Sequence, residues 1–361
     1  MTAVLVDLDA YRRNLDLLAA RLAPAELMAV VKADAYGHGL LPICRAAVAA
    51  GIRTLGVLDP ASALLVRRGG IGAGIGDGIR LFAWLFAADE DYRPSIEAEV
   101  DLGISSADQL ERIASAGASR PALLHLKIDT GLHRNGASEE DWPGLVRRAL
   151  QLQEAGVVEL GGAWTHIGEA SDEEDSAAIA RFHAAIAVAE GIGARFRTRH
   201  LAASAAGFAR TDARFDLVRV GAFTYGIAPG DGVAPADLGL VPVMTVRADV
   251  QELREVDGRP VAIVPLGFTD GIPSVAAGIG QVAIGGTLRL ILGVGARHLE
   301  VDAAAGPPDR PEVRSGDACT ILGTGAAGEW TLQDWADALG TIGEELVVRM
   351  APRVPRTYLG T

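Results

Sequence analysis

The sequence predicts an α/β architecture, a (β/α)8 TIM-like barrel followed by a C-terminal mostly-β domain, on two observations. Up to about residue 230, short apolar runs alternate with longer Ala-, Leu- and Arg-rich segments of helical period. After "YGIAPGDGVAPADLGL" Pro and Gly thicken, the helical period fades and strand-like runs succeed one another. Strands buried on both faces read as continuous apolar runs, and about eight of them separated by helices suit a parallel barrel. A doubly wound sheet fits the same alternation and stays open as a competitor.

In chain order, barrel strands are expected in "LMAVVKA", "TLGVL", "IRLFAWL", "VDLGIS", "ALLHLKI", "LGGAWTH", "TRHLAAS" and "FDLVRVG". Helices are expected in "ADQLERIASAG", "DWPGLVRRALQLQEAG" and "EEDSAAIARFHAAIAVAEGIG", where "SDEED" reads as a solvated helix start. The second domain should carry strands in "VMTVRADVQELREV", "PVAIVPLGF", "GQVAIGG", "LRLILGVG", "HLEVDA" and "DACTILGTG", with one late helix in "TLQDWADALGTIG". The boundary falls near residue 232, giving a barrel over 1–232 and a β-domain over 233–361, with the first few residues as candidates to pair with the β-domain.

Composition narrows the function classes. At 361 residues, 49% hydrophobic and 22% charged, the chain suits a packed core and two domains rather than disorder. A net charge of -13 argues against a nucleic-acid partner, which needs clustered Lys and Arg. Cys44 and Cys319 have neither a CxxC neighbour nor metal-ligand spacing, so no disulfide framework and no metal site are expected. No apolar run approaches a membrane span, and "MTAVLVDLDAYRRNL" lacks the charge and hydropathy pattern of a signal peptide; a cytoplasmic protein is the expectation.

In a barrel, polar residues at the C-terminal strand ends are the ones to suspect of chemistry. Lys32 follows "LMAVV", His166 ends "GGAWT", Ser204 follows "HLAA", and Lys127 and Arg134 flank "IDTGLH". A lysine there has a depressed pKa available to it, and a neutral amine can condense with an aldehyde cofactor. The bland alternative for Lys32 is a surface residue in a Gly-rich turn; Tyr36, Gly37 and Gly39 could make that turn face a phosphate. Arg219 stands inside the apolar run "FDLVRVG" and must find a partner, for which Asp216 and Asp129 are the carboxylate candidates. His166 alone reads equally as a core histidine.

"AVVKADAYGHG" resembles the cofactor-lysine signature of the alanine racemases. "LHLKIDTGLHRNG", "WTHIGEASDEED", "HLAASAA", "FDLVRVGAFTYG", "LGLVPVMTV", "GFTDG" and "WTLQDWADALGTI" correspond in order to further segments of that family, so the resemblance spans nearly the whole chain. It implies a pyridoxal 5'-phosphate (PLP) enzyme and a homodimer with shared active sites, acting on a small amino acid. It also implies roles. Lys32 would hold PLP and act as the base on one face, and Arg219, supported by His166, would face the pyridine nitrogen. Tyr36, Ser204, Gly221 and Ala222 would hold the phosphate. Arg134 would reach the substrate carboxylate, oriented by Lys127, which in the family can be carbamylated.

The departures from the family pattern collect in the second domain. The resemblance implies a tyrosine, the second base, where Phe268 stands. A phenyl ring cannot carry a proton. Glu344 replaces another family tyrosine, His298 falls in a changed "CMDQ" segment, Ala203 replaces an asparagine, and the "VSYG" loop between "ELREVDGRP" and "VAIVPLGF" is missing. The nominal expectation is therefore an amino-acid (alanine) racemase forming D-alanine. The alternatives are a one-base PLP reaction (decarboxylation, retro-aldol cleavage or Cα exchange) on another amino acid, and a non-catalytic PLP-binding relative.

Overall fold

Apolar runs buried on both faces need neighbours on both edges, and the eight expected ones find them in a single parallel sheet. The computed structural model describes residues 2–72, 78–169, 171–230, 232–305 and 312–360. In it the strands Glu26–Val30, Thr54–Leu58, Arg80–Ala83, Val100–Ile104, Ala122–Lys127, Val158–Trp164 and Thr198–His200 lie side by side in chain order. Leu217–Val220 returns to pair with Glu26–Val30. The seam left between Thr198–His200 and Leu217–Val220 is bridged by Asp216 N donating to Arg199 O (3.0 Å) and Arg219 N donating to Ala202 O (3.1 Å). The sheet is thus a near-closed barrel. The doubly wound alternative fails because no strand order reverses.

This unit comprises Leu18–Lys32 and Ala47–Gly221. Its interior is packed around Met28, Phe82, Trp164 and Leu217, each at most 2% exposed, with Trp84 against them. Phe82 meets Trp164 edge-on at 5.3 Å between centroids. Burying one such aromatic ring is worth roughly 1.5–3 kcal/mol. Gly103 makes room for it: a Cβ there would lie 2.6 Å from Phe82 Cζ. Residues of the "SDEED" stretch open the helix Asp172–Ile192, with Ser171 as N-cap; Asp175 is buried rather than solvated and accepts from Glu169 N (3.1 Å).

The other unit comprises the described residues of Met1–Leu17, Ala33–Ala46 and Ala222–Thr361. Its framework is a nine-stranded sheet. Ala3–Asp7 pairs antiparallel with Met244–Asp249 and parallel with Arg356–Leu359. Glu252–Val256 and Arg259–Val264 form a hairpin closed by only two residues, Asp257 (φ 51°) and Gly258 (φ 74°). Two positive φ values in succession are those of a type I′ turn, whose twist matches that of paired strands. The final strand and the helix Gly343–Val348 went unread in the sequence: "RTYL" is four residues of mixed exposure, and "GEELVV" mixes Gly and β-branched residues that favour helix poorly. Among the described residues no helix is long and apolar enough to cross a membrane.

Candidate active site

Val31 closes the first barrel strand by donating to Gly56 O (2.8 Å), which places half-buried Lys32 at that strand's C-terminal end. The chain then enters a left-handed turn: Ala33, Asp34, Ala35 and Tyr36 all have φ of 53–54°. Left-handed helical geometry costs an L-residue roughly 1–2 kcal/mol, so the turn must be held. Gly37 N donates to Ala33 O (2.9 Å), Gly39 N to Asp34 O (2.9 Å) and Leu40 N to Asp34 Oδ1 (2.8 Å). Arg356 donates to Gly37 O from Nε and Nη2 (3.1 Å each). The glycines have a steric reason: a Cβ on Gly37 would lie 2.4 Å from Val347 O. Both glycines also take a positive φ that the turn requires. Tyr36 is buried, its ring 4.8 Å from that of Tyr225. Burial, and then the Glu344 carboxylate, raise its phenol well above the usual value.

The barrel gathers cations at its C-terminal mouth. Arg219, 4% exposed, donates from Nη1 to His200 Nδ1 (3.0 Å). Its Nη2 faces Thr165 O (2.8 Å), Leu201 O (2.8 Å) and His166 Nδ1 (3.0 Å). Every one of these acceptors is neutral, and Nε takes no part. The two carboxylates suggested as partners are engaged elsewhere: Asp216 accepts from Arg199 Nε (2.8 Å), and Asp129 from His133 and the turn's amides. Burial lowers Arg219 to about 9; Glu169 opposes the shift and Arg134 adds to it. It remains a cation at neutral pH.

Half-buried His166 is driven far below its ordinary pKa by burial and then by Arg219, Arg134, Lys127 and Lys32. It is therefore neutral. Because its Nδ1 accepts from Arg219, its proton sits on Nε2. Buried Lys127 donates to Asn135 Oδ1 and lies 4.4 Å above the Trp164 ring. Burial, then Arg219 and Arg134, lower it to about 7. Arg134 itself is exposed in the loop that follows. Lys32, Lys127, Arg134, His166 and Arg219 are thus brought within electrostatic range of one another. Ser204 Oγ accepts from Gly221 N (3.1 Å), and Ala222 opens a buried 3-10 turn, Ala222–Tyr225. Ala203, at the N-cap of Ser204–Ala209, caps nothing; Glu169 Oε1 accepts from Ala206 N instead (2.8 Å).

The C-terminal candidates are arranged differently. Phe268 is 50% exposed and held by its backbone, N to Gly295 O (3.0 Å). His298 Nε2 lies 3.8 Å from Glu300 Oε1. Glu344 lies close enough to act on the Tyr36 phenol. Sequence reading passed over Asp101, His125 and His200, all buried, and Glu169. For two of them the signal was available: Asp101 in "VDLGI" and His125 in "ALLHL" are polar residues within otherwise apolar strand runs, whereas His200 closes the polar stretch "TRH". Among the described residues no His, Cys, Asp and Glu cluster suits a metal ion.

Comparison with known proteins agrees on one family. The family model for the alanine racemase N-terminal domain matches residues 6–229, and that for the alanine racemase C-terminal domain matches residues 250–358. The chain is 42% identical to an alanine racemase of Salinispora tropica, over 99% of this chain and 98% of that one. It is 39% identical to one of Streptomyces coelicolor, over 98% and 95%. The crystal structure of alanine racemase from D-cycloserine-producing Streptomyces lavendulae superposes with a TM-score of 0.93 at 37% identity, covering 100% of this chain and 97% of that one.

Burial of Lys127 has a thermodynamic signature. Its folded value, about 7, lies below the roughly 10.4 of an unfolded lysine. Between the two the unfolded chain binds more protons, so folding is favoured increasingly as pH rises. Measured against Lys127→Met, whose side chain does not titrate, the unfolding free energy of the native protein should rise by about 1 kcal/mol per pH unit in that window. A pH-independent difference in urea melts would contradict this burial.

Proposed function

The chain belongs to the alanine racemase family, whose members depend on PLP, and from that premise we propose an enzyme that moves the Cα proton of a small amino acid, nominally an alanine racemase, with Lys32 Nζ as the proton-carrying group. The observation that carries this reading is the cluster of Lys32, Lys127, Arg134 and Arg219 around neutral His166. Such a cluster suits an anionic cofactor and a substrate carboxylate. The donor set fits PLP: an amine for its aldehyde, a guanidinium with Nε uncommitted for its ring nitrogen, and a hydroxyl beside a backbone N–H for its phosphate. When bound, PLP supplies the electron sink that acidifies the Cα–H bond.

In this reading Lys32 Nζ takes the Cα proton on its own face and returns it there. Arg219 keeps the ring nitrogen unprotonated, because a fixed cation opposes a second positive charge beside it. His166, neutral and with its proton on Nε2, holds Arg219 in place without competing for charge. Ser204, Gly221, Tyr36 and Ala222 bind the phosphate, and Arg134 orients the substrate carboxylate. A carbamate on Lys127, formed from its neutral amine and CO2 with release of a proton, would give Arg134 an anionic partner. The family also implies a cytoplasmic homodimer, to which half-exposed Phe268 would be presented.

A second reading is favoured by the opposite wall. The chain's five tyrosines are Tyr11, Tyr36, Tyr92, Tyr225 and Tyr358, so the stretch from 226 to 357 holds none. Phe268 carries no proton, and the hairpin closed at Asp257–Gly258 leaves no loop to bring a phenol. His298 is turned to Glu300. Inversion needs a proton group on each face, so a PLP reaction using one base, such as exchange with retention, decarboxylation or retro-aldol cleavage, competes with racemisation.

Two tests follow. Reconstituted protein should show a PLP absorbance band that amino acids perturb, and chiral analysis of an amino-acid panel should identify the product; Lys32→Ala should abolish the band. A band that persists unchanged in Lys32→Ala overturns the assignment of Lys32. Equilibration with 13C-labelled bicarbonate should give a carbamate carbonyl signal in the native protein, lost in Lys127→Met. Its absence from the native spectrum would remove the carbamate.

A further inference from the structure

A file of polar side chains runs along the barrel interior from Arg219 to the strands' N-terminal ends. Arg219 Nη1 meets His200 Nδ1 at 3.0 Å, and His200 Nε2 meets His125 Nδ1 at 2.9 Å. His125 Nε2 then lies between Asp101 Oδ2, at 3.7 Å, and Arg80 Nη2, at 3.3 Å. Arg80 is itself bound to Asp101 Oδ2 through Nε (3.0 Å) and Nη2 (2.8 Å). Asp101, His125 and His200 are at most 4% exposed. Beyond them a cavity of about 490 Å³ opens, lined by Arg80, Asp101, Arg120, Glu159 and Arg197 among others. The file has space made for it: a Cβ on Gly162 would lie 2.5 Å from His125 Nδ1. Phe82 packs edge-on against His200, and Trp164 stacks parallel to it.

The proton positions can be derived. A guanidinium only donates, so His200 Nδ1 must be the acceptor and its proton must be on Nε2. That N–H donates to His125 Nδ1, which places the His125 proton on Nε2 as well. There the file reaches a conflict. Arg80 Nη2 is near enough to donate to His125 Nε2, and if it did, His125 would carry its proton on Nδ1. His200 would then have to accept at Nε2 and carry its proton on Nδ1, donor against donor with Arg219. Each imidazole keeps one proton throughout; only the direction of the file reverses.

We propose that Asp101 is a positioning residue that sets this direction: by engaging Arg80 and facing the His125 Nε2–H, it keeps the lone pair of His200 Nδ1 turned to Arg219. It acts on the cofactor's ring nitrogen only through Arg219, and that last link rests on the reading of Arg219 given above. The file itself does not.

Selective 15N-histidine labelling with long-range 1H–15N correlation reads the tautomers directly, without cofactor. The native protein should show His125 and His200 both protonated at Nε2. Asp101→Leu should move both protons to Nδ1, whereas Asp101→Asn, whose amide oxygen still accepts, should leave them in place. With PLP, Asp101→Leu should lower kcat about 10- to 100-fold, the scale on which orienting partners act, with less change in KM, and Asp101→Asn should keep most of the activity. An Nδ1–H tautomer at either histidine in the native protein, or unmoved tautomers in Asp101→Leu, would overturn the proposal. Should Asp101→Leu not fold, the native spectrum decides alone. Failure of the native protein to bind PLP would overturn the preceding reading and leave the tautomer result to stand or fall by itself.

Discussion

A guanidinium buried among neutral acceptors is the constraint on which this barrel turns. Arg219 cannot shed its charge, and an unpaired buried charge is expensive. The strand ends around it answer by supplying acceptors without charge: two backbone carbonyls, His200 and His166. Both histidines must stay neutral to do this, and burial together with Arg219 itself keeps them so. A carboxylate in their place would neutralise Arg219 and remove the cation that the proposed function directs towards a ring nitrogen. The cost of leaving it positive is met by packing, since Trp164 lies 5.2 Å beneath the guanidinium and stacks on His200.

The C-terminal part of the chain follows another logic. Where the family resemblance implies phenols it offers a phenyl ring, a carboxylate and a two-residue turn. The turn that presents Phe268 is held without any of them: Asp270 of "GFTDG" accepts from Gly267 N (2.9 Å) and pairs with Arg353 (2.7 Å). The barrel has one compensation of its own: with Ala203 unable to cap Ser204–Ala209, Glu169 reaches across to do so. Such exchanges separate what holds the protein together from what touches a substrate.

Much of this was legible in the sequence, and the reason differs by element. Most barrel strands are legible because burial on both faces writes a largely apolar run, while Thr198–His200 is marked only by the apolar residues that follow it. Lys32 and Ser204 are legible because they follow apolar runs at their C-terminal ends, and Arg219 because a charge stands inside one. Neither carboxylate candidate pairs with Arg219, because a sequence shows which carboxylates exist but not that Asp216 is already held by Arg199. Asp101 and His125 escaped because each is a single polar letter inside a strand, His200 because it ends a wholly polar one, and their alignment into one file depends on barrel register rather than on spacing. The left-handed turn after Lys32 was invisible for a simpler reason: Ala33 and Ala35 have no preference for it, and the bonds that hold it include those from Arg356, more than 300 residues away.

The proposed function puts the Cα proton on Lys32, and Phe268 stands where the family resemblance implies the second base. Incubating the PLP-loaded enzyme with L-alanine in deuterated water, and following deuterium at Cα together with D-alanine formation, tests it directly. With a phenyl ring in that place, deuterium should enter L-alanine with retained configuration faster than D-alanine appears, by about 10²-fold or more, the scale of a missing acid–base group. D-alanine accumulating as fast as deuterium enters would contradict it, and would require a second proton carrier on the far face.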